Sequence, residues 1–152
     1  MKLPPSVAAA LDGRDLRRKL GVTLLVNATA ADGWPRIATL SVGEALAQAD
    51  EILLSLYATS RTAEALAAAG KGLLMLAADG GLHKLRVRVS PVAGVAVDDE
   101  GRRILRARVE DTEFDAVPYA RVTSGVTYEL DDADAALARW TRQLNRLREY
   151  AR

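Results

Sequence analysis

Apolar and polar residues alternate along most of this chain, and the period of that alternation lays out its elements. VTLLVNATA (22–30) is rich in β-branched residues and reads as a strand, with RIATLSV (36–42) as its return. Between them Ala31-Asp32-Gly33 is a hairpin turn in which Gly33 is free to take positive φ. Glu44 to Ala49 reads as a brief helical or irregular turn, and EILLSLYA (51–58) as a strand. RTAEALAAA (61–69) is a short helix stopped by Gly70, and KGLLMLAA (71–78) is a buried strand. The next turn is Asp79-Gly80-Gly81. LHKLRVRVSPVAGVAV (82–97) then sets Leu85, Val87 and Val89 against Lys84, Arg86 and Arg88, with Pro91 as a break or bend.

Past the turn at Asp98–Gly101, RILRARVED (103–111) reads as a strand or a helix, and YARVTSGVTYEL (119–130) as a further alternating segment. Asp131 or Asp132 caps a long helix to Ala151, whose stripe is Ala133, Leu137, Trp140, Leu144, Leu147 and Ala151. At the other end Ser6, after Pro4-Pro5, caps a short helix VAAAL, and RDLRRKL is a second short helical piece ending at Gly21. The pattern predicts a mainly β fold: six or seven hairpin-linked antiparallel strands, a short helix inserted mid-sheet and a long helix at the end. Such strands close into a barrel or stack as a sandwich. With no internal repeat or low-complexity linker, the 152 residues read as a single domain.

Composition narrows the function classes. Hydrophobic residues make up 49% and charged residues 27%, a globular profile. The net charge of +1 gives no reason to propose nucleic acid or an anionic membrane as partner. The absence of cysteine excludes disulfides, thiol catalysis and zinc-thiolate sites. The N-terminus lacks a secretory signal pattern, and no stretch approaches the roughly 18–20 apolar residues of a membrane helix. A cytoplasmic protein is expected.

The chemistry concentrates in residues 35–62. Arg36, Ser41, Ser60, Arg61 and Thr62 surround two strands and the start of a helix, and a guanidinium, hydroxyls and a helix N-terminus together hold a phosphate. Arg36 and Ser41 are an odd number apart, so on a regular strand they point to opposite faces. Read locally, Thr59 or Ser60 caps the helix and Arg61 is solvated.

The order PRIATLS, a turn with Glu44, EILLSLY, TSRTAEAL, GKGLLMLA and a DGG hairpin resembles the flavin-binding split-barrel relatives of pyridoxamine 5'-phosphate oxidase, over roughly residues 20–130. The resemblance implies a six-stranded antiparallel split barrel that forms a homodimer, with FMN in a cleft at the dimer interface. It assigns the cofactor phosphate to Arg36, Ser60 and Arg61. Ser41 and Thr62 stand where the oxidase carries lysines, and its C-terminal substrate-binding arginine motif is absent. The chain is therefore expected to be a small member of the group and not a true pyridoxamine phosphate oxidase. The expected function is FMN-dependent oxidoreduction of a small substrate. The alternatives are a non-catalytic flavin, deazaflavin or haem binder, or a cofactor-free structural dimer.

Other residues have bland readings beside functional ones. His83, the sole histidine, is a general base or haem ligand, or an exposed strand residue beside a turn with no Ser/Asp arrangement near it. Asp111, Glu113 and Asp115 form a hard-metal site or a solvated acidic loop. Arg86, Arg88, Arg102, Arg103, Arg106 and Arg108 line a groove for an acidic ligand, or form the wet face of the barrel paired with acids. Trp34, at a hairpin tip, suggests an interface, and Trp140 core or dimer packing.

Overall fold

A computed structural model describes residues 2–94 and 97–151. Seven antiparallel strands form one curled sheet in the order β2-β1-β5-β6-β7-β4-β3. They are β1 (Thr23–Thr29), β2 (Pro35–Ser41), β3 (Ala45–Gln48), β4 (Glu51–Tyr57), β5 (Lys71–Ala78), β6 (Gly81–Pro91) and β7 (Arg102–Asp115). The helices are α1 (Pro5–Ala10), α2 (Arg61–Ala69) and α3 (Ala133–Tyr150), with a 3-10 turn at Leu16–Lys19. The sheet coils around Leu24, Val26, Leu40, Ile52, Leu54, Leu56, Leu74, Leu85, Val87, Leu105 and Ala107, one side of every long strand. The fold is thus mainly β, a half-barrel with flanking helices, and the expected six or seven strands resolve to seven.

Turn chemistry sets the hairpins where the sequence puts them. Gly33 takes φ +85, and Asp79 and Gly80 both lie at positive φ, the conformation that matches the twist of a two-residue hairpin. α2 begins with the Ser60 hydroxyl accepting from the Ala63 N–H and ends at Gly70 in the left-handed region.

Several expectations need correction. Ala45–Gln48 is a strand, not a helical turn, because it pairs with β4 from Ala45↔Leu54 to Gln48↔Glu51. Residues 119–130 do not form a strand; the segment runs as an irregular exposed strap, tied by the Val122 N–H to the Gly80 carbonyl. Asp111, Glu113 and Asp115 are not a loop but the end of β7, opposite Arg86, Lys84 and Leu82. β6 stops at Pro91 rather than running on to Val97, and Val95 and Ala96 of that expectation lie outside the described residues. Ser6 caps nothing; it lies inside α1 and bonds to Asp79. The buried line of α3 is Ala136, Trp140, Gln143, Leu144 and Leu147, so Ala133 gives way to Ala136 and a glutamine enters the covered side.

α3 packs on the outer side of β3 and β4 and reaches Ile104 of β7. Leu144 and Leu147 meet Leu46, Leu53 and Ile104 there, which leaves Ile52 to Leu56 buried without a break. The approach depends on Gly43, where any Cβ would overlap the Trp140 side chain. Among the described residues no helix is long and apolar enough to cross a membrane.

Candidate functional site

The five phosphate candidates separate into two groups. Arg36, near the start of β2, and Arg61, the first residue of α2, line one cleft of about 350 Å3 with Ala30, Ala31, Asp32, Glu64, Ala65 and Ala68. The register explains the meeting: β2 leaves the hairpin tip beside β1, and α2 crosses the same two strands. Arg36 Nη2 lies 3.6 Å from Asp32 Oδ2, and Arg61 is exposed.

The hydroxyls are engaged elsewhere. Ser60 holds the Ala63 N–H at 3.2 Å, and Thr62 is buried. Ser41 is also buried, and its hydroxyl donates to Glu44 Oε1 at 2.8 Å while its N–H donates to the same oxygen at 3.0 Å. Ser41 and Arg36 thus sit apart, as their odd spacing on the strand requires. The start of α2 still offers donors. The Ser60 carbonyl and hydroxyl receive Glu64 N–H and Ala63 N–H, which leaves the N–H groups of Arg61 and Thr62 at the positive end of the helix.

A second polar centre lies under α3, and the alternation pattern hides it. Arg102 does not belong to a wet basic face; it is 2% exposed. Its Nε donates to Ser55 Oγ at 3.0 Å, and its Nη2 to Glu44 Oε2 at 2.5 Å and to the Ser55 carbonyl at 2.6 Å. The Tyr57 ring covers its guanidinium, with Cζ 4.2 Å from the ring centroid. The hint in the sequence is that Arg102 shares a strand face with Ile104. An isoleucine in a row of arginines marks a face that becomes covered. The other arginines are partly paired too, Arg88 with Glu110 and Arg106 with Glu51.

His83 is a third correction. It is buried, not exposed, because it shares the inward parity of Leu85 and Val87. Its Nε2 lies 2.7 Å from Asp79 Oδ2 and 3.2 Å from Ser6 Oγ, and its ring meets Phe114 at 4.7 Å. A Ser/Asp/His cluster therefore exists. Both partners sit on the same nitrogen, however, whereas a catalytic triad places them on opposite ones. Hydrogen bonds from Ser6 and then from His83 hold the Asp79 carboxyl below its ordinary range. The cluster ties α1 to the β5–β6 hairpin. Among the described residues no three metal-ligating side chains converge.

No protein-family model matches the chain. Among curated proteins it is similar to YclD of Bacillus subtilis (strain 168), 26% identical over 139 residues, covering 91% of this chain and 90% of that one. Among solved structures it resembles HupZ of Group A Streptococcus, with a TM-score of 0.57 and 9% identity over 78% of this chain and 97% of that one. It also resembles a Clostridium acetobutylicum protein related to general stress protein 26, of the pyridoxinephosphate oxidase family. There the TM-score is 0.51 and the identity 15%, over 80% of this chain and 94% of the other. The curled seven-stranded sheet and its solved neighbours together identify the fold as the split barrel of the pyridoxamine 5'-phosphate oxidase-like proteins.

Proposed function

We propose that this protein is a homodimeric flavoprotein that holds FMN by its phosphate and serves as an oxidoreductase for a small substrate. The observation that carries the reading is the meeting of Arg36 and Arg61 in one cleft along the flank of α2. Two guanidinium groups suit a phosphomonoester. Asp32 and Glu64 line the same cleft, so its formal side-chain charge is zero. Arg36 must exchange Asp32 for the phosphate, which makes the expected affinity moderate. Ser41, Ser60 and Thr62 contribute by shaping β2 and α2, not by direct hydroxyl contact.

The flavin, when bound, supplies hydride or single-electron transfer. The chain's own part is to anchor the phosphate and to shield the ring with the backbone of β2 and β4. The second copy is expected on the outer side of β2, β1 and β5. There Leu25, Leu73 and Met75 are only half-buried and Ile37 is 63% exposed, in adjacent registers. Trp34, 72% exposed, stands at the edge of this surface.

Haem is less well served, since the one imidazole is engaged by Asp79 and Ser6. A deazaflavin with a long acidic tail would need the arginine surface that Glu110 and Glu51 partly occupy. The test is a visible spectrum of purified protein before and after excess FMN and dialysis, beside Arg61→Ala. A retained flavin spectrum and at least tenfold weaker binding by the variant, about 1.4 kcal/mol, support the reading. Protein that stays colourless, or a variant of unchanged affinity, removes FMN or Arg61 from it.

A further inference from the structure

β1 and β5 separate at one end, and a cavity opens between them. Their ladder runs from Leu25↔Met75 to Asn27↔Leu73 and stops, although β1 continues to Thr29 and β5 begins at Lys71. Each strand keeps its other neighbour over the same stretch: Thr29 pairs with Pro35, and Lys71 with Arg88. The gap holds about 400 Å3 above a floor of Ala28, Pro35, Ala69, Leu73 and Val87. That volume lies within the range of small-molecule sites. The cavity shares no lining residue with the cleft at Arg36 and Arg61. Of the apolar residues assigned above to a dimer face it takes in Leu73 alone, and its cations stand on β5 and β6.

The rim of this cavity is cationic. Lys71, Arg86 and Arg88 line it against one carboxylate, Glu110, a formal surplus of two positive charges. Lys71 lies directly opposite Arg88, and Arg88 opposite Arg108, so three cations stand in register across β5, β6 and β7. Like charges placed that way repel one another. The chain relieves this only in part. A bulge at Arg86/Val87 leaves Glu110 without a register partner, and its carboxylate receives Arg88 Nε at 3.0 Å and Nη2 at 3.3 Å. Lys71 and Arg86 are exposed, and among the described residues their side chains have no hydrogen-bonding or ion-pairing partner, although Asp111 lies opposite Arg86.

Lys71 and Arg86 are diagonal neighbours, one opposite Arg88 and the other opposite Leu73, so their Cβ atoms are roughly 7–8 Å apart or less. Side chains of that length reach a common point. The two unpaired charges therefore suit one doubly charged group better than two separate carboxylates, and the apolar floor calls for an organic body attached to it. We propose that this cavity is a binding site for a phosphomonoester with a compact apolar body. The phosphate lies on Lys71 and Arg86, and the body lies against Ala28, Pro35 and Ala69. The assignment does not rest on the flavin reading, whose phosphate cleft has no surplus charge.

The experiment is an NMR titration of the 15N-labelled full chain with phenyl phosphate, following the Gly72 backbone amide and the Asn27 side-chain amide, both of which line the cavity. It is run at about pH 8, above the second phosphate pKa of about 6, so the probe is a dianion. Both signals should move saturably. Phenyl sulfate, with one charge fewer, and inorganic phosphate, with no apolar body, should each bind about tenfold more weakly. Lys71→Gln and Arg86→Gln, both at exposed positions, should each weaken phenyl phosphate about tenfold with an unaltered melting temperature. Arg61→Ala should leave these shifts as they are, and FMN uptake is measured separately by absorbance, so either result can fail alone. The proposal is overturned if the two signals do not saturate by about 50 mM, far into the weak range. It is equally overturned if phenyl sulfate binds as tightly as phenyl phosphate, if the Lys71→Gln/Arg86→Gln double variant keeps wild-type affinity, or if Arg61→Ala abolishes the shifts.

Discussion

The two halves of the sheet treat their outer faces differently. On β4 and β7 the outward residues Leu53 and Ile104 are covered by Leu144 and Leu147 of α3, and β4 loses its alternation altogether. On β2, β1 and β5 the outward residues Leu25, Ile37, Leu73 and Met75 have no helix over them, and the half-buried pattern survives. The difference lies in what the chain supplies. One half is completed by the chain's own helix, and the other leaves an apolar surface of the kind that marks an interface. Burial under α3 also explains why charge can enter that half. Arg102 is tolerated at 2% exposure because Glu44, Ser55 and Tyr57 surround it.

That contrast can be broken most forcefully under α3. Leu144→Ala should cost about 3 kcal/mol by removing buried methyl groups from a tight cluster, measured by denaturant unfolding. A loss below roughly 0.5 kcal/mol, the size of an ordinary surface change, would mean that α3 does not hold that face. Gly43→Ala should cost about 2 kcal/mol, because its methyl must displace the Trp140 side chain. A quenched or shifted Trp140 emission should accompany it.

On the bare half, Ile37→Glu should leave the chain's stability within about 0.5 kcal/mol, as for an exposed site, yet convert the proposed dimer to a monomer. Sedimentation gives the answer, and a variant that keeps the dimer mass removes this face from the interface. The smallest effect concerns the tie between α1 and the β5–β6 hairpin. Asp79 has a depressed folded pKa, so its contribution is present above its ordinary value of 3.8 and fades as pH falls through the lowered folded value. Asp79→Asn, which tolerates the left-handed backbone there, should lower the melting temperature slightly at neutral pH. The gap from wild type should close in acid below 3.8, and a gap that persists there would assign the effect to the backbone instead.

The strand order of charges misled where tertiary cover intervened. Arg102, Arg106 and Arg108 share one face of β7 and look equivalent in sequence, yet α3 reaches only the first two. His83 looks like a polar residue at a turn, and its parity with Leu85 was the better guide. The strap 119–130 alternates like a strand but pairs with no strand of the sheet and stays exposed over most of its length.

Local chemistry was enough for the hairpins, the limits of α2 and β5, the Ser60 cap and the alternation that closes the sheet. Each depends on residues within a few positions of one another, where φ preferences and side-chain period act directly. The meeting of Arg36 with Arg61, the burial of Ser41 on Glu44, and the Arg102–Gln143 crevice were decided only by the tertiary structure. In the last case residues 41 positions apart in sequence face each other across α3 and β7. No local preference encodes such a distance; it follows from which faces are left to be covered once the sheet has formed.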